Sequence, residues 1–194
     1  MQKKYIVCVD DDKQVLVSLK QELQAGLQGE FSFEIAESGE EGLELVEDLL
    51  EDGDLIPVII SDQLMPGMKG DEFLVKVQEI NPNIRKILLT GQASANAVGN
   101  ALNKAQLYRY IAKPWDPEDL LNTVKEAAKS FMMDKRLENQ IRLQKKINHY
   151  MRLMQEHISL DALLKNLKEQ LVEDVPATRA CIAIQSNGSK QPEK

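Results

Sequence analysis

The chain has 194 residues, of which 24 are basic and 31 acidic, and its formal net charge is −7. Hydrophobic residues make up 43% and charged residues 28%, which is ordinary for a globular protein and excludes a collagen-like or low-complexity chain. No stretch of the sequence has the consecutive apolar residues, about 18, that predict a membrane-spanning helix.

The N-terminus and the two cysteines indicate the compartment. The sequence MQKKYIVCVDDD holds only a short apolar run that ends in three aspartates, so it does not resemble a secretory signal. Cys8 and Cys181 stand far apart, and a disulfide framework is not expected. We therefore expect a cytoplasmic location and no association with a membrane.

Short apolar runs alternate with segments of helical periodicity five times. This alternation predicts an α/β fold, a doubly wound parallel sheet with helices on both faces. In chain order, strands are predicted at 5–9, 31–36, 57–61, 86–90 and 108–112. Helices are predicted at 15–27, 40–50, 71–80 and 93–105 and from residue 116 onward. Ser38 is the predicted N-cap of the helix at 40–50.

The last predicted helix is unusually long. From Pro117 to about His157 no proline or glycine interrupts roughly 40 residues, far beyond an ordinary domain helix. Apolar residues recur along it at intervals of three and four, with one break in phase near Gln144. Residues 131–158 are therefore predicted to continue the domain's last helix as a coiled coil.

The remaining residues divide into two parts. Residues 159–172 are predicted to form an amphipathic helix and 177–184 a strand, and these cannot enclose a core alone. We expect 159–184 to be the start of a domain that this chain does not complete. It is similar to the start of a GAF domain. The polar residues 185–194 are predicted to be disordered.

Charge is unevenly distributed along the chain. Residues 1–115 carry 11 basic and 19 acidic side chains, whereas 116–194 carry 13 and 12. The acidic part is poorly suited to phosphate contacts with nucleic acid and well suited to holding a cation. The basic run from Lys129 to Arg152 is interpreted as the solvated face of the coiled coil, so no direct nucleic-acid binding is expected.

Polar residues follow the predicted strands at the points where these end. Three aspartates at 10–12 follow the first strand, Asp62 follows the third, Thr90 ends the fourth and Lys113 follows the fifth. The carboxyl ends of parallel strands meet in one crevice. Clustered carboxylates need a neutralising cation, and Mg²⁺ prefers such oxygen ligands. A lysine and a hydroxyl beside them suit a phosphoryl group.

Four motifs, in this order and at these strand ends, resemble the receiver domain of two-component response regulators. They are VDDD (9–12), SDQLMPGMKGDEFL (61–74), LLTG (88–91) and YIAKPW (110–115), and the resemblance covers residues 3 to about 130. It implies a five-stranded flavodoxin-like sheet with strand order 2-1-3-4-5, and a receiver domain over residues 1–130.

The resemblance also implies roles for individual residues. Asp62 would be the phosphoacceptor. Mg²⁺ would be held by the carboxylates of Asp10, Asp11 and Asp62 and by the backbone carbonyl of Leu64.

Three further residues would respond to the phosphoryl group. Thr90 and Lys113 would contact it, and Tyr110 would act with Thr90 as an aromatic switch. The Lys113–Pro114 peptide bond would be cis.

The function implied is that of a signalling switch. A histidine kinase or phosphotransfer protein would supply the phosphoryl group, and the last helix would pass the change to an output domain. The chain would be no enzyme beyond transfer to, and hydrolysis from, its own aspartate. Exposed apolar residues along 117–158 predict a parallel homodimer through that helix, with an antiparallel fold-back as the alternative.

Two functions of other classes remain open. A Mg²⁺-dependent phosphohydrolase with an aspartate nucleophile would need a D-x-D-x-[TV] motif after the first strand, where this chain has DDDKQ. A structural adaptor would use only the coiled coil. The formation of a phosphate adduct separates the three.

Overall fold

The computed structural model describes residues 2–27, 29–91 and 104–155, with side chains up to Arg152. Among these residues a parallel sheet has the strand order β2-β1-β3-β4-β5, which confirms the predicted doubly wound fold. In chain order the elements are β1 (Lys4–Val9), α1 (Lys13–Leu27), β2 (Ser32–Ala36), α2 (Gly39–Glu51), β3 (Leu55–Asp62), α3 (Gly70–Ile80), β4 (Arg85–Thr90), β5 (Arg109–Ala112) and α4 (Pro117–Gln155).

The observed elements follow the predicted ones closely. Ser38 caps α2 by accepting a hydrogen bond of 3.2 Å from the Glu41 backbone N–H, as its sequence position predicted. The predicted helix at 93–105 lies outside the described residues except for its last two. The predicted elements of 159–184 and the tail 185–194 also lie outside them.

Side chains on both faces of the sheet are buried, because alternate residues of each strand point to opposite sides. One layer packs on α2 and α3, and includes Val7, Val9, Ile59, Val46, Phe73 and Val77. The other packs on α1 and α4, and includes Ile6, Cys8, Ile60, Leu19, Leu23 and Val124. Each such side chain contributes roughly 1.5–3 kcal/mol on burial.

The long helix α4 changes character along its length. Its first half packs on the sheet through Leu120 and Val124, and Phe131 is also buried. Beyond Met132 several large apolar side chains are exposed: Leu137, Ile141, Leu143, Ile147 and Met151 are each 44–60% accessible. Only the first part of this helix therefore belongs to the hydrophobic core.

The chain separates into two compact units, residues 1–137 and 138–194. The first contains the whole sheet. Within the described ranges, none of the helices combines the length and hydropathy needed to cross a membrane.

Candidate functional site

The sheet brings the predicted site residues together at one edge. Asp62 ends β3 opposite Leu89 of β4, and Asp10 follows the last residue of β1. The Lys113 backbone N–H donates a 2.7 Å hydrogen bond to the carbonyl of Thr90, which holds the chain after β5 against the end of β4. The strand ends therefore converge as the sequence predicted.

Lys113 joins the two buried aspartates. Its ammonium group donates a 2.8 Å hydrogen bond to Oδ2 of Asp10 and forms an ion pair with Oδ1 of Asp62. Asp10 is only 1% exposed and Asp62 only 6%. Two carboxylates so far from water require a nearby cation, and Lys113 provides it.

The same contacts determine the ionisation of the lysine. Burial alone would lower the pKa of the Lys113 ammonium. The hydrogen bonds to Asp10 and Asp62, together with their negative charges, outweigh burial and hold that pKa above its usual value. The site therefore keeps a positive charge beside its two carboxylates throughout the neutral pH range.

Backbone groups fix the orientation of both carboxylates. The Leu64 N–H donates to Oδ2 of Asp62 at 2.6 Å, and the Asp12 N–H donates to Oδ1 of Asp10 at 2.9 Å. With the contacts to Lys113, every carboxylate oxygen of the pair accepts one hydrogen bond. Since a carboxylate oxygen has two lone pairs, each can still accept another donor or ligate a metal.

The geometry can be compared with the needs of Mg²⁺. The described residues contain no group of three or more His, Cys, Asp or Glu side chains placed to hold a metal ion, and Asp11 is exposed. Mg²⁺ usually retains several waters and binds one or two carboxylates together with phosphate oxygens. The oriented carboxylates of Asp10 and Asp62 fit that smaller requirement.

Thr90 and Tyr110 differ in their exposure to solvent. Thr90 is buried at the end of β4, and its hydroxyl donates a 2.9 Å hydrogen bond to the Gly91 carbonyl. The ring of Tyr110 is 60% exposed on the edge strand β5. The two proposed switch residues thus occupy neighbouring strands, paired in register as Leu88 with Tyr110 and Thr90 with Ala112.

The loop after β3 is held by a residue that the sequence reasoning missed. Gln63 is buried, its N–H donates to the Leu89 carbonyl at 2.9 Å, and its own carbonyl accepts from the Gly70 N–H at 3.2 Å. Its side-chain amide donates to Asp71 at 3.1 Å. A polar residue within a motif carries no signal of burial, so only the packing reveals this role.

Glycine is required where α3 begins. A Cβ on Gly70 would lie 1.8 Å from the Asp62 carbonyl oxygen, far inside van der Waals contact. Gly67 has a φ of +75°, in the left-handed region that favours glycine. Gly70 therefore has a steric reason and Gly67 a conformational one.

The segment after Lys113 agrees with expectation. The Lys113–Pro114 peptide bond is cis. Trp115 packs against the α1 side of the core, and its indole N–H donates to a Glu22 carboxylate oxygen on α1 at 3.2 Å. This contact holds the start of α4 against α1.

Comparisons with known proteins agree with this geometry. Residues 6–125 match the family model described as the response regulator receiver domain. The hydrogenase transcriptional regulatory protein HoxA of Bradyrhizobium diazoefficiens is 38% identical over 92 residues, 47% of this chain and 19% of that protein. The nitrate/nitrite response regulator NarL of Escherichia coli is 37% identical over 98 residues, 50% of this chain and 43% of NarL. The chain thus spans less than half of either relative.

Solved structures show the same fold. A response regulator receiver domain protein (CheY-like) from Methanospirillum hungatei superposes with a TM-score of 0.59 at 33% identity, covering 69% of this chain and 99% of that one. The structure of adenylate cyclase from Rhodopirellula baltica superposes with a TM-score of 0.61 at 28% identity, covering 73% and 98%.

Proposed function

Because the chain belongs to the response regulator receiver domain family, we propose that Asp62 accepts a phosphoryl group from a histidine kinase or phosphotransfer protein in a Mg²⁺-dependent reaction. The observation that carries the proposal is the pair of buried carboxylates, Asp10 and Asp62, bridged by Lys113 where the strands end. A buried, oriented carboxylate beside a fixed ammonium group has the requirements of a nucleophile for phosphorus.

The transfer can be written with its bonds. A carboxylate oxygen of Asp62 forms a bond to phosphorus while the bond from phosphorus to the donor histidine nitrogen breaks. The electron pair stays on the imidazole nitrogen, which takes up a proton. The product is an acyl phosphate, a mixed anhydride that water can hydrolyse, so the switch can be reset.

The charge of the arriving group needs compensation. Lys113 already donates to Asp62, and its ammonium can donate to a phosphoryl oxygen without leaving the site. Asp10 and Asp62 would hold Mg²⁺, with Asp11 and the Leu64 carbonyl as the further ligands. When bound, the ion would neutralise charge on the carboxylate and phosphoryl oxygens during an in-line transfer.

The response of the fold would run through the end of β4. A phosphoryl oxygen on Asp62 offers a new acceptor to the Thr90 hydroxyl, which would draw Thr90 toward the site. The ring of Tyr110, now 60% exposed, could then occupy the space released. Such a change would bias two conformations of the β4–β5 face rather than create a new one.

The proposed output path is α4. Its first half packs on the sheet and its later residues expose an apolar stripe, which would pair with a second copy of the chain through residues 117–158 and lead to an output domain. The match to HoxA covers only 19% of that protein. An output domain after α4 is therefore part of the same proposal.

Incubation with acetyl phosphate and Mg²⁺, followed by intact-mass measurement, tests the proposal. We expect one phosphoryl adduct, absent in Asp62→Asn and in excess EDTA. Asp12→Asn is the matched control, because Asn can replace Asp12 in accepting the 2.8 Å hydrogen bond from the Gln14 N–H. Asp11→Asn should weaken Mg²⁺ binding more than Asp12→Asn.

Three outcomes would contradict this account. An adduct that survives Asp62→Asn would place the phosphoryl group elsewhere. Steady release of phosphate without an adduct would instead support a phosphohydrolase. No adduct and no turnover, with the protein folded and Mg²⁺ present, would leave the adaptor function as the better explanation.

A further inference from the structure

A concave surface lies where the strands begin, at the opposite end of β1 from the phosphoryl site. It is a cleft of about 520 Å³ between the C-terminal end of α1, the segment entering β2 and the middle of α4. Its floor is apolar: Leu27 and Ala128 are buried there, and Phe31 and Met132 are partly exposed. A ligand in this cleft would therefore bury apolar surface without touching the carboxylates of the phosphoryl site.

The rim of the cleft is basic. Lys4, Lys125 and Lys129 line it, and Glu30 is the acidic residue among them. Within the described ranges, none of these three lysines forms an ion pair with a carboxylate. The Lys4 ammonium instead lies 5.9 Å from the centroid of the Phe31 ring. Three unpaired cations around an apolar floor are complementary to an anionic, partly apolar ligand.

This basic rim contrasts with the rest of its unit. Residues 1–137 carry 24 acidic against 15 basic side chains. Where like charges dominate a surface, a local cluster of the opposite sign concentrates the field and attracts a complementary partner. An acidic partner would therefore meet attraction together with apolar contact in this cleft.

The walls of the cleft are already formed. Gly26 of α1 lies so close to α4 that a Cβ there would be 2.4 Å from Leu121. Leu27 and Ala128 belong to the same packed layer. A ligand would therefore bind without first having to order the helices, which lowers the cost of association.

We propose that this cleft binds a short acidic peptide segment of a partner protein, with an apolar side chain between carboxylates. Lys125 and Lys129 are one turn apart on α4, and Lys4 comes from β1. Separate cations on different elements suit a linear ligand with several carboxylates better than a small molecule with one. The apolar side chain would lie on Phe31 and Met132.

Fluorescence polarisation with the full chain tests this. The probe is a fluorescein-labelled peptide of alternating glutamate and leucine. We expect binding that weakens as salt is added, and a loss of about tenfold or more in affinity for Lys125→Gln/Lys129→Gln. Met132→Gln should also weaken binding, because it removes apolar contact without changing charge. Asp62→Asn should bind normally, since the cleft is at the other edge of the sheet.

Lys76→Gln/Lys104→Gln is the control, because it removes the same charge from exposed lysines elsewhere on the unit. An equal loss in both double variants would show only a net-charge effect and would overturn the proposal, as would absence of binding by the native chain. Stronger binding of dodecanoate than of the peptide would assign the cleft to a small amphipathic acid instead. Light scattering that detects self-association lost in Lys125→Gln/Lys129→Gln would assign it to a second copy.

Discussion

At the scale of single residues, Lys113 determines whether two buried carboxylates can lie side by side. It contacts both Asp10 and Asp62, which are almost fully buried. Lys113→Met would leave both charges without their cation. We expect the free energy of unfolding, measured in urea at neutral pH, to fall by about 3 kcal/mol.

The double variant makes this prediction specific. Adding Asp62→Asn to Lys113→Met removes one of the repelling charges and should restore part of the loss. If the loss of unfolding free energy in the double variant equals the sum of the losses in the two single variants, the coupling that the ion pair predicts is contradicted. Because the pKa of Lys113 is raised, its contribution is complete at neutral pH and disappears only as pH rises through that elevated pKa.

Lys86 is a buried lysine of a different kind. Its ammonium contacts the Gln78 side-chain oxygen at 2.6 Å and the Ile84 carbonyl at 2.8 Å, with no carboxylate partner among the described residues. Burial, assisted by the charge of Arg85, lowers the pKa of Lys86 from 10.5 to about 8. Compared with the unfolded chain, the folded state therefore favours the neutral amine, which predominates above about pH 8.

A pH dependence of stability follows. Between pH 8 and 10.5 the unfolded chain holds a proton on Lys86 that the folded chain has released, so the contribution of Lys86 to stability rises with pH over this range. The buried Cys8 thiol, whose pKa is raised from 9.0 to about 12, makes an opposing contribution above pH 9. The rise is on the order of 3 kcal/mol. Urea denaturation at several pH values should show this rise as the difference in the free energy of unfolding between the native chain and Lys86→Met, and as the same difference between Lys76→Met, an exposed control, and Lys86→Met. The same slope in Lys86→Met would refute the assignment.

At the scale of elements, the loop from β3 to α3 positions Asp62 through close backbone packing. Gly70→Ala would place a methyl group 1.8 Å from the Asp62 carbonyl oxygen. We expect a loss of more than about 2 kcal/mol in the free energy of unfolding, and reduced phosphorylation of the protein that remains folded.

Gly29→Ala serves as the comparison. Gly29 has a φ of +78° and nothing within 4 Å of an added Cβ, so this variant has backbone strain without a clash. It should lose about 1 kcal/mol and be phosphorylated at the native rate. Equal phosphorylation of both variants would show that the packing of Gly70 does not position the nucleophile.

The second half of α4 exposes the apolar residues through which we propose that the chain dimerises. Ile147 and Met151 are exposed on one stripe of the helix, and burying each in a partner helix would contribute roughly 1.5–3 kcal/mol. We expect the full chain to be a dimer by light scattering at micromolar concentration, and Ile147→Glu/Met151→Glu to be monomeric. Arg142→Glu, an exposed change on the same helix, should remain dimeric. A monomeric native chain, or a truncation to 1–130 that dimerises equally well, would exclude this interface.

At the scale of the whole molecule, the sequence predicted what depends on chain order. Alternating apolar runs determined the strands, and parallel strands place their ends at one edge, so Asp10, Asp62 and Lys113 could be predicted to meet. Ser38 was predictable because a cap depends on a local hydrogen bond.

What depends on the direction of single side chains was not predictable. Lys86 lies in a strand pattern that does not distinguish a buried lysine from an exposed one, and its polar partners come from a separate helix and a neighbouring carbonyl. Gln63 is buried by the same kind of long-range packing. The cleft with Lys4 and Lys129 on its rim is formed by residues far apart in the chain, and no local motif indicates it.

We propose that Asp62 alone accepts the phosphoryl group. Borohydride reduces an acyl phosphate to an alcohol, so treating the chain after reaction with acetyl phosphate and Mg²⁺ converts the modified aspartate to homoserine. Peptide mass spectrometry then locates it. We predict homoserine at position 62 and at no other aspartate. Homoserine at another position, or an unreduced adduct with Asp62 intact, would contradict the account.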